Sequence, residues 1–330
     1  MTLNLTLVGR KGIVQVSDRL YSYPDTGEVR DESNKAIIIR CADATLSITF
    51  TGIATFFWNG QEHRIDQWLA ESLQVAGLPE LPHDQVLAHI QKVATDLFRS
   101  FPSVRRRHTF VVSGFVQSSD NPVPHAWFVD NCAGNEWFQQ SGDSFHIHDM
   151  TVGPGRFLAT GFVKAMSRRT KRRLKKELDQ KLDVGGIERA LVRAIRDAAA
   201  DPQGSRVISK NCMAITLDPL GGCRAVHYSE SGGTSVYGPF LMWYEGGRSF
   251  IVGDIEVLEG SGLALQFGDQ SRPFFLQVRW DEPMVQPDIK ELHSRMKVRT
   301  ANAVHRTEEP VVSAPLMTII TKDPTPWFPK

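Results

Sequence analysis

The fold turns on residues 2–19, TLNLTLVGRKGIVQVSDR. Leu3, Leu5 and Leu7 alternate with Asn4, Thr6 and Val8, the period of two that sends successive side chains to opposite faces of a strand. Arg10-Lys11-Gly12 is a tight-turn signal, and the β-branched run IVQVS after it reads as a return strand. The stretch is a hairpin, and it starts on a threonine that directly follows Met1. A terminal threonine is a self-sufficient nucleophile: its hydroxyl attacks, and its own α-amine, with a pKa of about 8, takes the proton. Methionine aminopeptidase generally removes Met before a small second residue. Thr2 is therefore either an ordinary β-former in a first strand or a nucleophile uncovered by loss of Met1.

Working outward, the polar stretch YPDTGEVRDESN, rich in turn formers, reads as a loop. KAIIIRC and TLSITFTG follow as a second antiparallel pair joined at ADA. The period then changes to helical. HRIDQWLAESLQVAG places Ile65, Trp68, Leu69 and Leu73 on one face, with Gly77 at its end. The next segment repeats the pattern with Val86, Leu87, Ile90, Val93, Ala94 and Leu97. Strands return at HTFVVSGFVQ, HAWFVDN, SFHIHDMTV and RFLATGFV. A basic helix over 164–177 and a second one with the stripe Ile187, Ala190, Leu191, Ala194, Ile195 and Ala198 come next, then strands at SRVISKNCMAITLD. Antiparallel strands alternating with helix pairs predict an α+β protein, a four-layer αββα sandwich over residues 1–220. Residues 221–330 are Gly-rich and strand-like, a β-rich C-terminal extension packed on or completing the core.

Three positions could support a nucleophilic Thr2. A cation nearby lowers the pKa of hydroxyl and amine, a carboxylate orients that cation, and a backbone N–H receives the oxyanion. Asp18 ends the second strand, Lys35 starts the third, and Gly52 ends the fourth, where no side chain obstructs a substrate carbonyl. The plain alternative for Asp18 and Lys35 is a structural ion pair at strand ends. These same residues carry a resemblance. TLNLTLVGRKGIVQVSDR, NKAIII and FTG resemble the proteasome-type branch of the N-terminal nucleophile (Ntn) hydrolases. Thr2, Asp18, Lys35 and Gly52 fall on that family's motif positions. The resemblance implies threonine-dependent peptide or amide hydrolysis, a peptide or protein substrate, no cofactor, and self-association, with an ATPase or other regulatory partner left open. In the second half of the family pattern an Asp and a Ser precede a Gly-Gly turn. Here VISKNCMAI offers Ser209 and no Asp, and Thr160-Gly161 stands where a Ser-Gly pair is expected.

Composition narrows the remaining classes. With 41% hydrophobic and 23% charged residues, 330 residues are enough for a sizeable core. A net charge of +1 commits the whole chain to no polyanion. Cys41, Cys132, Cys212 and Cys223 form no CxxC pair, so no zinc site is expected and reduced thiols in a cytoplasmic protein are. No signal peptide is recognisable, and no apolar stretch reaches about 18 residues, so no membrane span is expected. His146, His148 and Asp149 share a strand and read as surface residues rather than metal ligands. RRTKRRLKK lacks interleaved aromatics and reads as a solvated or intersubunit helix face, against nucleic acid. Tyr237, Phe240, Trp243 and Tyr244 read as core or interface. Two functions remain: a threonine hydrolase, or an inactive Ntn-fold homologue serving as an oligomeric scaffold or binding module.

Overall fold

The computed structural model describes residues 2–22, 29–30, 35–58, 60–75, 77–100, 107–118, 121–132, 141–150, 155–180, 182–229, 235–245, 248–253, 256–258, 262–267 and 274–280. The opening hairpin is β1 (Leu3–Gly9) and β2 (Gly12–Asp18), paired from Asn4↔Ser17 to Gly9↔Gly12. A small ribbon follows, β3 (Tyr21–Ser22) with β4 (Val29–Arg30), so two residues of the stretch read as a loop are paired. The second pair is β5 (Ala36–Arg40) and β6 (Ala44–Thr51). A ribbon of β7 (Thr55–Trp58) and β8 (Gln61–Arg64) leads into α1 (Ile65–Val75) and α2 (His83–Arg99). Then come β9 (Thr109–Val116), β10 (Val123–Cys132), β11 (Ser141–Asp149) and β12 (Arg156–Gly161). Two further helices, α3 (Arg168–Leu178) and α4 (Val184–Ala200), precede β13 (Cys212–Leu217) and β14 (Cys223–Tyr228). The last strands described are β15 (Ser235–Tyr237), β16 (Phe240–Glu245), β17 (Arg248–Val252), β18 (Glu256–Leu258), β19 (Gly262–Phe267) and β20 (Phe274–Trp280).

Two seven-stranded sheets organise these elements into a mixed α+β protein. The first runs β12-β1-β2-β13-β14-β20-β19 and the second β11-β10-β9-β6-β5-β16-β17. Strands from beyond residue 220 enter both. β16 lies beside β5 and β20 beside β14, and these two pairings are parallel while the other pairings in the two sheets are antiparallel.

The alternation read in β1 and its neighbours decides what each face meets. Leu3, Leu5, Leu7, Val14 and Val16 join Leu191, Ala194, Ile195 and Ala198 of α4 in one apolar cluster. The opposite faces meet between the sheets, where Val8, Ile13 and Ile215 of the first sheet contact Val111, Phe128 and Trp243 of the second. The other side of the second sheet, with Leu46, Ile48 and Phe50, packs on Leu69, Leu73, Ile90 and Leu97 of α1 and α2. Burying a side chain of this size contributes about 1.5–3 kcal/mol, so these three clusters hold the molecule together.

Element boundaries depart from the sequence reading in several places, and the strand read from Ser205 begins only at Cys212, after a run of turns. α3 starts at Arg168 rather than at 164, because the Ser167 side chain accepts the Thr170 N–H and caps the helix there, while Val163–Ala165 form a 3₁₀ turn. The ribbon β7–β8 was not anticipated, although Asn59-Gly60 is a hairpin signal. Phe240 and Trp243 are buried, and Tyr244 is exposed. The Pro-rich stretches EEPVVSAP and DPTPWFPK lie outside the described residues.

Candidate active site

Thr2 sits at the open end of β1, on the side of the strand shared with Asn4, Thr6 and Val8, which faces the second sheet. The Lys35 Nζ donates to Thr2 Oγ1 at 2.9 Å and to the Leu20 carbonyl at 2.7 Å, and it lies 3.4 Å from Asp18 Oδ2. Asp18 in turn accepts backbone N–H groups from three segments: Leu3 at 2.7 Å, Leu20 at 3.1 Å and Ser209 at 3.4 Å. The carboxylate thus ties β1, the end of β2 and the approach to β13 to one point. Lys35 is 1% and Asp18 0% exposed, so this ion pair is out of water, where charge interactions are least screened. A buried pair persists only when its remaining donors and acceptors are satisfied, and here backbone groups do that.

The Thr2 main chain is held as firmly as its hydroxyl. Phe162 N–H donates to the Thr2 carbonyl at 2.8 Å. Gly161, at φ +83°, packs against that same carbonyl so closely that a Cβ would overlap it. Thr51 borders the same glycine, 3.1 Å from where its Cβ would be, which brings the end of β6 to the Thr2 neighbourhood. Gly52 follows directly. Its φ is +128°, a region open to glycine, and a Cβ would meet the Arg107 carbonyl at 2.6 Å and His108 Nδ1 at 2.5 Å. Thr2, Asp18 and Lys35 are therefore in direct contact, and Gly52 lies one residue from the contact that reaches Gly161. Ser209 reaches Asp18 through its backbone N–H, while its Oγ accepts from Asn211 N at 2.8 Å. Thr160 Oγ1 is buried without a hydrogen-bond partner among the described residues.

Several participants were not anticipated. The Leu20 carbonyl is invisible to sequence reasoning, since any residue would supply it. Behind Thr2, a polar layer runs between the sheets. Asn4 donates to Thr49 Oγ1, Ser47 donates to Gln15 Oε1 at 2.5 Å, and Gln15 Nε2 reaches the Val111 carbonyl at 3.2 Å. A signal existed: Asn4, Thr6, Gln15, Ser17, Ser47 and Thr49 occupy inward positions of otherwise apolar strands. His108 is enclosed by Phe50, Phe98, Phe110 and Phe145, and burial pushes its pKa down to about 3.

Other nucleophiles and metal sites find less support. The four cysteines are free thiols, and burial pushes Cys41 up to about 12 and Cys223 upward as well, which disfavours the reactive thiolate. His146 and His148 lie on the exposed surface of β11 with rings 6.4 Å apart, and His148 Nε2 is 3.7 Å from Asp130 Oδ1. Among the described residues, no three His, Cys, Asp or Glu side chains converge closely enough to hold a metal ion. Among them, too, no helix is long and apolar enough to cross a membrane.

The sequence matches no family model and no curated protein. Among solved structures the chain is similar to a Gly-1 mutant of Anbu from Hyphomicrobium sp. strain MC1, with 10% identity, 66% of this chain and 82% of that chain covered, and a TM-score of 0.45. It is similar to Anbu (ancestral beta-subunit) from Yersinia bercovieri at 8% identity, 66% and 81% coverage, and a TM-score of 0.45. A helical assembly of the Anbu complex from Pseudomonas aeruginosa aligns at 13% identity, 66% and 81% coverage, and a TM-score of 0.42.

Proposed function

We propose that this chain is a threonine hydrolase that cleaves peptide or amide bonds, with Thr2 as its nucleophile once Met1 is removed. One observation carries the reading: the Lys35 ammonium, held by Asp18, donates directly to Thr2 Oγ1. An ammonium at that distance stabilises the alkoxide and lowers the hydroxyl pKa. With Met1 attached the Thr2 nitrogen is an amide and cannot take a proton, and Thr2 is 4% exposed. Removal of Met1 supplies the free amine.

The chemistry would run in two stages. Thr2 Oγ attacks the substrate carbonyl while the α-amine accepts its proton. The tetrahedral oxyanion is received by the Gly52 N–H, and collapse passes the proton to the leaving amine. Water then hydrolyses the acyl ester, with the amine again as base. Asp18 positions Lys35 and fixes the Leu3 amide. We further propose that the helix pairs and sheets stack as αββα, and that the chain self-associates, which size-exclusion chromatography with light scattering measures directly.

The test is the intact mass of untagged protein before and after a β-lactone. Loss of one methionine followed by one adduct, absent in Thr2→Ala, is the expected result. A retained methionine with no adduct overturns the assignment and leaves the inactive-homologue reading, in which the buried Lys35–Asp18 pair is structural only.

A further inference from the structure

Helix α3 stands apart from that site. It exposes Arg168, Arg169, Lys171, Arg172, Lys175 and Lys176, together with Arg173, against a single carboxylate, Glu177. The whole chain is only +1, whereas α3 alone carries seven cations against one acid. Arg173 reaches Asp197 and, at 3.8 Å, Glu177, whereas the other six form no ion pair among the described residues. On the neighbouring α4, Arg189 and Arg193 are exposed one turn apart, and the ion pair of Arg193 Nη2 with Glu177 at 3.1 Å places Arg193 alongside α3.

The arrangement opposes helix formation. Arg168, Arg169 and Lys171 fill the first turn, where the macrodipole favours acids. Arg168–Arg172, Lys171–Lys175 and Arg172–Lys176 are like-charge pairs at i, i+4. The Ser167 cap and the burial of Thr170 and Leu174 against α4 hold α3 in place regardless. A bound polyanion relieves both conflicts.

The features α3 lacks identify the polyanion. A protein partner needs an apolar or aromatic centre to dock on, and an interfacial membrane helix needs an exposed apolar face. The exposed surface of α3 has neither. The missing aromatics, which the sequence reading holds against nucleic acid, argue only against single strands, since those are what need aromatic stacking. A duplex backbone needs only cations at phosphate reach, and eleven helical residues span about 16 Å, roughly half a turn of duplex. We propose that α3, extended by Arg189 and Arg193, binds the phosphate backbone of double-stranded nucleic acid without reading its sequence.

Fluorescence anisotropy with the full chain and a labelled duplex DNA of arbitrary sequence tests this. With four to five phosphates neutralised, affinity should fall by roughly two to three orders of magnitude between about 50 and about 200 mM salt. A second, unrelated duplex should bind within about twofold. Arg168→Gln, Arg169→Gln, Arg172→Gln, Lys175→Gln and Lys176→Gln together should abolish binding. Arg172→Gln alone, which spares the fold, should reduce the salt slope by about one. Arg10→Gln with Lys11→Gln, in the exposed turn after β1, should change nothing. Any of four results overturns the proposal: no binding at low salt, equal binding by the α3 variants, binding of polyglutamate in preference to duplex, or binding only to anionic vesicles. None of these readouts depends on Thr2.

Discussion

Lys35 is 1% exposed, and its Nζ donates to Thr2 Oγ1 and Leu20 O and lies 3.4 Å from Asp18 Oδ2. A buried ammonium needs partners for its remaining donors, and here one of those partners is the Thr2 hydroxyl. The ammonium pointed at a hydroxyl is the feature that gives the site a chemical direction. Replacing it tests that direction. Lys35→Met keeps the length of the stem and removes the charge, so the rate of Thr2 acylation by a β-lactone should fall by at least about 100-fold. Acylation at the original rate in a folded Lys35→Met protein would mean that Lys35 does not tune Thr2. At this scale Thr2, Asp18, Lys35 and Gly52 could be named from the sequence because each stands at the end of a strand it marks, and the contact among Thr2, Asp18 and Lys35 is what the structure adds. The Leu20 carbonyl and the Phe162 N–H on Thr2 were not, since backbone groups leave no trace in composition.

Among the elements, α4 shows how a helix is fastened to the sheet below it. Its stripe Leu191, Ala194, Ile195 and Ala198 was readable from period alone. Glu188, on the buried side of the same helix, was not. It is 1% exposed and accepts from Thr216 Oγ1 at 3.0 Å, Arg224 Nη2 at 2.5 Å and Tyr228 OH at 2.5 Å, joining α4 to β13 and β14. Glu188→Ala strands the Arg224 guanidinium and should destabilise the fold by about 3–5 kcal/mol, whereas Glu188→Gln, which keeps an acceptor, should cost about 1–3 kcal/mol. Urea midpoints measure both. A loss under about 1 kcal/mol for the alanine variant would mean that water replaces the carboxylate.

At the scale of the whole molecule, buried histidines make stability depend on pH. His108 has an ordinary value of 6.5 and a folded value of about 3, because burial disfavours its charged form. Burial, with Arg19 adding to it, lowers His227 too. Below pH 6.5 the unfolded chain therefore takes up protons that the folded chain refuses. Their contribution is complete above pH 6.5 and is lost as pH falls toward 3, at about 1.4 kcal/mol per pH unit for His108. Asp66 and Asp130 are pushed upward by burial and act with the opposite sign in the carboxylate range, so the histidine effect reads most clearly between about pH 7 and about pH 5. His108→Phe completes the aromatic enclosure and should flatten that part of the urea-midpoint profile. An unchanged slope would show that His108 is not the source.

Local rules determined much of this protein. Alternation placed β1, a β-branched run placed β2, apolar runs flanking a short polar turn placed β5 and β6, and the helical period placed α1, α2 and α4, all of which follow from covalent geometry that every residue carries. The tertiary structure decided what no local rule reaches. It brought β16 beside β5 and β20 beside β14, so that residues far along the chain complete both sheets. It also set Lys35 against Thr2, and Asp18 against Ser209, across 33 and 191 residues. Contacts of that sequence separation depend on which apolar faces meet when the sheets pack, and that is a property of the whole chain's burial rather than of any window within it.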